Sequence, residues 1–185
     1  GTLRFITAAP ELDRFLARIG VEASTTDDGG PSQRIETVVN MPLVQDELSL
    51  RVSGLFEHDS GWVEQPDIQR ENINDSDVIN VRAKALWVPS DKLNIAGTVI
   101  VHRAERVPGQ GEDEKGDFYQ AYGEPTTPSV EEDYTVYGVT LDYDFGGFSF
   151  LSSTSIVDGE MLTRQEAQVI PFAPPPAPPA EVLYP

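Results

Sequence analysis

His58 and His102 are the two histidines of the chain, and no cysteine accompanies them. Far apart in sequence and without thiolate partners, they make a poor zinc set, which needs three or four ligands in a closed or nearly closed shell. A cysteine nucleophile and a disulfide scaffold are excluded together. No G-x-S-x-G elbow, P-loop or G-x-G-x-x-G occurs in a strand-to-helix setting. The glycines of "PGQGEDEKGD" are interspersed with acids that would repel a phosphate. "GEDEKGD" and "NINDSD" offer oxygen ligands for calcium, yet neither has the alternating spacing and distal Glu of a calcium loop, so both read as solvated acidic loops. Asn74, Asp75 and Ser76 form a glycosylation triplet that reads as accidental. No catalytic residue, metal site or cofactor is expected, and the chain does not read as an enzyme.

Two sets of residues remain. Arg34, Glu36, Arg51, Arg82 and Lys84 recur on the polar sides of alternating segments. Trp62, Phe118, Tyr119 and Tyr122 place aromatic surface in polar loops.

The elements that carry these residues have period two. Residues 34–44 set Ile35, Thr37, Val39, Met41 and Leu43 against Arg34, Glu36, Val38 and Asn40, the alternation of a strand with unlike sides. Residues 48–57, 79–88, 93–103 and 134–145 repeat the pattern, with 14–25 and the weaker 148–157 as further candidates. Each is about 9 to 12 residues long, close to the 9 to 11 that cross a bilayer obliquely. In 79–88 both faces cannot be dry, because Arg82 and Lys84 share one of them. "GTLRFIT" reads as a short separate strand, cut off by Pro10.

The connections alternate in length. Gln45–Glu47, Pro89–Lys92 and Gly146–Gly147 are short; Asp27–Gln33, His58–Asp77 and Ala104–Asp133 are long, polar and acidic. In an up-and-down antiparallel sheet all short turns then lie at one end, the asymmetry of outer-membrane barrels. Trp87, Tyr143, Phe145 and Phe148 cluster near the short turns, where barrels carry an aromatic girdle. No apolar run approaches the roughly 18 residues of a membrane helix, which leaves strands untouched. A formal charge of −18, with 13 scattered basic residues against 31 acidic ones, excludes a nucleic-acid partner. The expected fold is all-β, an antiparallel up-and-down meander of about seven strands. An odd count with two free edges reads as an arc of a larger barrel.

In order along the chain, "GTLRFIT" with "AAPEL", then "VVNMPLVQDELSLRVSGLFEHDSGWVEQ", "VRAKALWVPSDKLNIAGTVI" and "YTVYGVTLDYDFGGFSFLSSTSIVD" resemble the TonB-dependent outer-membrane receptors. The resemblance implies a fragment: residues 1–12 the end of the plug and its connection, 13–160 the N-terminal part of a barrel of about 22 strands, and 161–185 a Pro-rich external loop or disordered end. It further implies a Gram-negative outer-membrane location, contact with outer-membrane lipid, and energy coupling to the TonB complex through missing N-terminal regions. The cargo would be a scarce nutrient such as a ferric siderophore, cobalamin or a glycan. By the same resemblance Arg34, Glu36, Arg51, Arg82 and Lys84 would contact the plug or line the lumen, and Trp62, Phe118, Tyr119 and Tyr122 would be ligand-loop residues. The competing expectation is a secreted soluble β-protein that binds glycans or cations through its acidic loops.

Overall fold

The computed structural model describes residues 7–65, 69–108, 112–114, 117–119 and 128–164. It is an all-β structure. Seven antiparallel strands form one open sheet in sequence order: β1 (Leu16–Thr25), β2 (Pro31–Val44), β3 (Leu48–Asp59), β4 (Ser76–Ser90), β5 (Leu93–Arg106), β8 (Ser129–Asp144) and β9 (Ser149–Arg164). Between β5 and β8 a small separate hairpin pairs β6 (Glu112–Glu114) with β7 (Asp117–Tyr119). Every expected meander strand is present, and most are longer than the alternation suggested. β8 begins at Ser129 and β9 runs on to Arg164, past residue 160. The expected strand in "GTLRFIT" lies, but for Thr7, outside the described residues, as does most of the Pro-rich C-terminal stretch.

Strand lengthening comes at the expense of the long connections. Residues 26–30 suffice between β1 and β2, because pairing runs out to Thr25 and Pro31. The short turns are Gln45–Glu47, Asp91–Lys92 and residues 145–148, all at one end of the sheet. Asp46 takes a left-handed conformation at φ 60°, and Gly146 does so at φ 86°. Those values let each link reverse tightly; Asp and Gly tolerate them better than most residues.

Proline marks where the ladder slips. Pro42 sits at the register shift between Pro42 and Val44, and Pro89 lies inside the shift between Trp87 and Ser90. Proline has no N–H to give a ladder, so it belongs at an irregularity. The first shift also answers the parity problem of "NMPLVQDELSLRVSG", where the apolar residues switch from odd to even. Leu48 pairs with Val44, while Leu50 pairs with Met41, so the bulge absorbs the difference.

The registers carry one face unbroken across the sheet. Ala17, Val39, Val52, Ala83, Val99, Tyr137 and Ile156 lie in one transverse row. The other face holds Arg18, Arg34, Glu36, Arg51, Arg82, Lys84 and His102, mixed with Leu55, Leu86 and Ile100. β9 obeys the pattern least, with Leu151 and Val157 on the polar side.

Two glycines are predicted to respond oppositely to the same change. A Cβ on Gly159 would stand 2.8 Å from Tyr134 Cβ and 3.1 Å from the Asp133 carbonyl, whereas one on Gly97 meets nothing within 4 Å. Gly159→Ala is expected to destabilise the sheet by about 1–3 kcal/mol, because two backbones must separate. Gly97→Ala is expected to be neutral or to stabilise by up to about 1 kcal/mol. Chemical unfolding of the full chain measures both.

Candidate functional site: a polar face under a crossing chain

Residues 7–15 do not extend away from the sheet. They cross its polar face at the short-turn end and are tied there by Asn40. The Asn40 amide donates to the carbonyls of Glu11 at 2.9 Å and Arg14 at 2.8 Å, and its Oδ1 accepts the Glu11 N–H at 2.9 Å. Asn40 is 0% exposed, as is its neighbour Ser49, whose hydroxyl donates to the Met41 carbonyl. Three satisfied bonds explain how an amide is buried without penalty. Lys84 Nζ donates to the carbonyls of Thr7 at 3.0 Å and Ala8 at 3.2 Å. Asp46 N–H, in the β2–β3 turn, donates to Leu12 O. Pro10, within the crossing, is buried.

The five residues singled out by sequence share this polar face but form two groups. Toward the long-connection end, Arg34 donates from Nε to Glu36 Oε1 at 2.9 Å and from Nη1 to Glu57 Oε2 at 2.6 Å. This is a satisfied surface network. Near the crossing, Arg51 and Lys84 are register partners and Arg82 pairs with Ser53. Arg51 Nη1 lies 3.8 Å from Glu11 Oε1, and the Arg51 side chain is only 17% exposed. Glu11 is hydrogen-bonded to Arg14, whose guanidinium holds that carboxyl below its ordinary range despite an opposing desolvation effect. Arg51 Nη1 and Arg82 Nε are buried without a hydrogen-bond partner, a situation that costs about 1–3 kcal/mol for each such group.

The opposite face reverses the usual distribution. Among the described residues the apolar side is the exposed one: Ile19 is 69% exposed, Val139 56% and Val81 41%. Its stripes run from Ile79 to Trp87 on β4 and from Leu93 to Val101 on β5, then end in charge. His58 Nδ1 lies 2.8 Å from Asp77 Oδ1, and Arg103 Nε lies 3.6 Å from Asp133 Oδ1, on the far border. The near border is aromatic. Tyr143 meets Phe145 at a 4.5 Å centroid separation, Phe145 stacks on Phe148 at 4.6 Å, and Trp87 Nε1 donates to Glu47 Oε1 at 3.2 Å. A shallow groove of about 440 Å³ crosses the stripe where Ala83, Ala85 and Gly97 are small.

Trp62 is exposed in the connection between β3 and β4, whose described residues 60–65 and 69–75 hold bonds of their own. Asn74 Oδ1 accepts the N–H groups of Trp62 at 2.8 Å and Val63 at 2.9 Å, and Val63 and Ile73 are buried. Asn74, the first residue of the glycosylation triplet, therefore holds a loop through its amide oxygen. Phe118 and Tyr119 fall on β7, with side chains outside the described part, and Tyr122 lies outside the described residues altogether. His102 stacks on Tyr134 at 4.7 Å and approaches Asn80 at 3.2 Å. It lies on the opposite face from His58. Among the described residues no cluster of His, Asp and Glu could hold a metal ion.

No protein-family model, curated protein or solved structure matches the chain.

Asn40 was missed as a site residue because its partners lie 26 and 29 positions away in sequence. Its one visible signal is an amide at a strand position otherwise flanked by apolar residues. Asn40→Ala is expected to free the crossing, exposing residues 7–14 to proteolysis several-fold faster than in the unaltered chain while the strand content stays the same. Limited trypsin digestion, read at Arg14 by mass spectrometry, checks it.

Proposed function

We propose that the chain is an arc of a transmembrane β-barrel, the end of the plug and the first barrel strands of a TonB-dependent receptor in a Gram-negative outer membrane. The whole receptor would take up a scarce nutrient such as a ferric siderophore, cobalamin or a glycan. One observation carries the lipid-facing part of this reading. An apolar face is left uncovered across the seven strands, while buried Asn40 and Ser49 and the crossing chain occupy the other side. Water would penalise such a face at about 25 cal/mol per Å² of apolar surface. A bilayer removes that penalty, and lipid-exposed strands with a polar interior are the pattern a barrel requires.

The borders support the same reading. An apolar stripe with aromatics at one edge and ion pairs at the other has the layered order of a headgroup, hydrocarbon and aqueous boundary. Stripe lengths such as Ile79–Trp87 agree with the roughly 9–11 residues a tilted strand needs to cross. The receptor family itself rests on the resemblance of the hairpin phrases. Topology adds a constraint on what completes it. With seven strands in up-and-down order, β1 and β9 run in the same direction, so antiparallel closure needs an odd number of additional strands. A coding sequence that continues this chain with a complete plug upstream and an odd set of strands downstream would support the family; one that closes a soluble domain would count against it.

Two measurements test the lipid contact. In a Trp62→Phe variant the remaining Trp87 is expected to be quenched when the chain is incorporated into phosphatidylcholine vesicles brominated near the headgroup. Val99→Lys should lower insertion by the equivalent of about 2–4 kcal/mol, and Thr98→Lys, on the polar face, by clearly less. A compact, monodisperse and cooperative chain in detergent-free buffer, with Trp87 unaffected by brominated lipid, would instead favour the soluble glycan- or cation-binding reading.

A further inference from the structure

Two shallow grooves lie end to end on the apolar face. The first, of about 440 Å³, has Ala83, Ala85 and Gly97 as its floor, with Val99, Tyr137 and Ile156 on the side toward the ion-pair border. The second, of about 470 Å³, begins with the next residue of that face on each of β5, β8 and β9, namely Val101, Thr135 and Asp158. One step further along the same strands it is lined by Arg103, Asp133 and Glu160. From Gly97 to Arg103 the two grooves extend along β5 for about 20 Å at the rise of a strand. A single leaflet with its headgroups is of similar depth, roughly 20 Å.

Chemistry changes from one groove to the next. The floor of the first is hydrocarbon. The second carries three carboxylates and one guanidinium. Asp133 directly faces Glu160 across the β8–β9 ladder, and Asp158 follows Glu160 two positions away on the same side. Like charges so placed repel one another. Arg103 offsets them only in part, because its Nε stays 3.6 Å from Asp133 Oδ1, beyond hydrogen-bond distance. These acids are not arranged to hold a metal ion. An ammonium, with three divergent N–H donors, bridges carboxylates that are spaced too widely for a metal shell.

We propose that the two grooves together seat one lipid whose head carries a primary ammonium, with its tail over Ala85 and Gly97, its ammonium between Asp158 and Glu160, and its ester phosphate facing Arg103. The tail makes only hydrocarbon contacts, so selection lies with the head. A trimethylated head has no N–H to give, and a purely anionic head meets three carboxylates. Docking of the tail presupposes that this face meets lipid, as proposed above; the choice of headgroup can fail while that reading stands.

Fluorescence of the full-length Trp62→Phe chain in nonionic detergent, titrated with lipids brominated near the acyl terminus, tests the seat. Trp87 is the next residue of the apolar face beyond Ala85, so a tail in the first groove reaches it. Phosphatidylethanolamine is expected to quench Trp87 saturably, at a concentration about tenfold lower than phosphatidylcholine or phosphatidylglycerol. Replacing Asp158→Asn together with Glu160→Gln should remove that preference, and both changes relieve like-charge repulsion, which favours the folded sheet. Asp142→Asn, on the polar face near a short turn, should leave it unchanged. Gly97→Leu fills the first groove, where an added Cβ meets nothing within 4 Å, and should weaken quenching several-fold. Equal quenching by the three lipids, or a preference that survives the double variant, overturns the ammonium seat while the lipid-facing reading stands. Quenching that Gly97→Leu leaves unaltered overturns the tail groove, as does the absence of quenching by any lipid; the insertion of Val99→Lys then decides the lipid-facing reading by itself.

Discussion

The antiparallel ladder, kept in phase from β1 to β9, is the constraint on which the rest of the structure depends. Side chains alternate along a strand, so a one-residue slip in any pairing would send that strand's apolar residues to the polar side. The registers avoid this across six successive pairings of the main sheet. From that phase follow the row through Val52, Ala83 and Val99, the placing of Arg51 against Lys84, and the separation of His58 from His102 onto different faces. The two register shifts fall at Pro42 and Pro89, beside short turns, where a lost ladder bond disturbs the fewest neighbours.

Within that frame the unusual feature is the sign of burial. Soluble sheets hide the apolar face and wet the polar one. Here the most deeply buried strand residues are Asn40 and Ser49, while valines and isoleucines at mid-strand lie open. Burial of Asn40 is possible because the crossing chain supplies backbone partners that water would otherwise provide. The polar face is thus the one with specific, short-range structure, and the apolar face is a surface of uniform character that asks for a non-specific apolar neighbour.

Much of this was legible in the sequence, for a clear reason. Alternation is a local signal, and residues 48–57 or 79–88 display it without reference to the rest of the chain. Turn ends, the placement of aromatics and the common face of Arg34, Glu36, Arg51, Arg82 and Lys84 follow from alternation plus short links. Strand ends were less legible. The stretches 76–77 and 131–133 are polar, and they pair because their neighbours do, not through any propensity of their own. The clasp at Asn40 was hidden for a similar reason: its partners are main-chain atoms of Glu11 and Arg14, and main chain has no sequence signature. The division of the five polar-face residues into a paired Arg34 network and an under-paired Arg51, Arg82 and Lys84 group depended on register and on the path of residues 7–15.

The way the crossing is fastened has a mechanical meaning. Tension applied to the chain ahead of Thr7 reaches the two Lys84 bonds first, then the two Asn40 bonds to Glu11, then the bond from Asp46 to Leu12, and last the Asn40 bond to Arg14. Only after these yield does it load β1, the edge strand of the described sheet, which pairs there with β2. The attachments lie in series, so they break in succession under a steady pull. The clasp acts as a sacrificial link that gives way while the meander behind it is still whole.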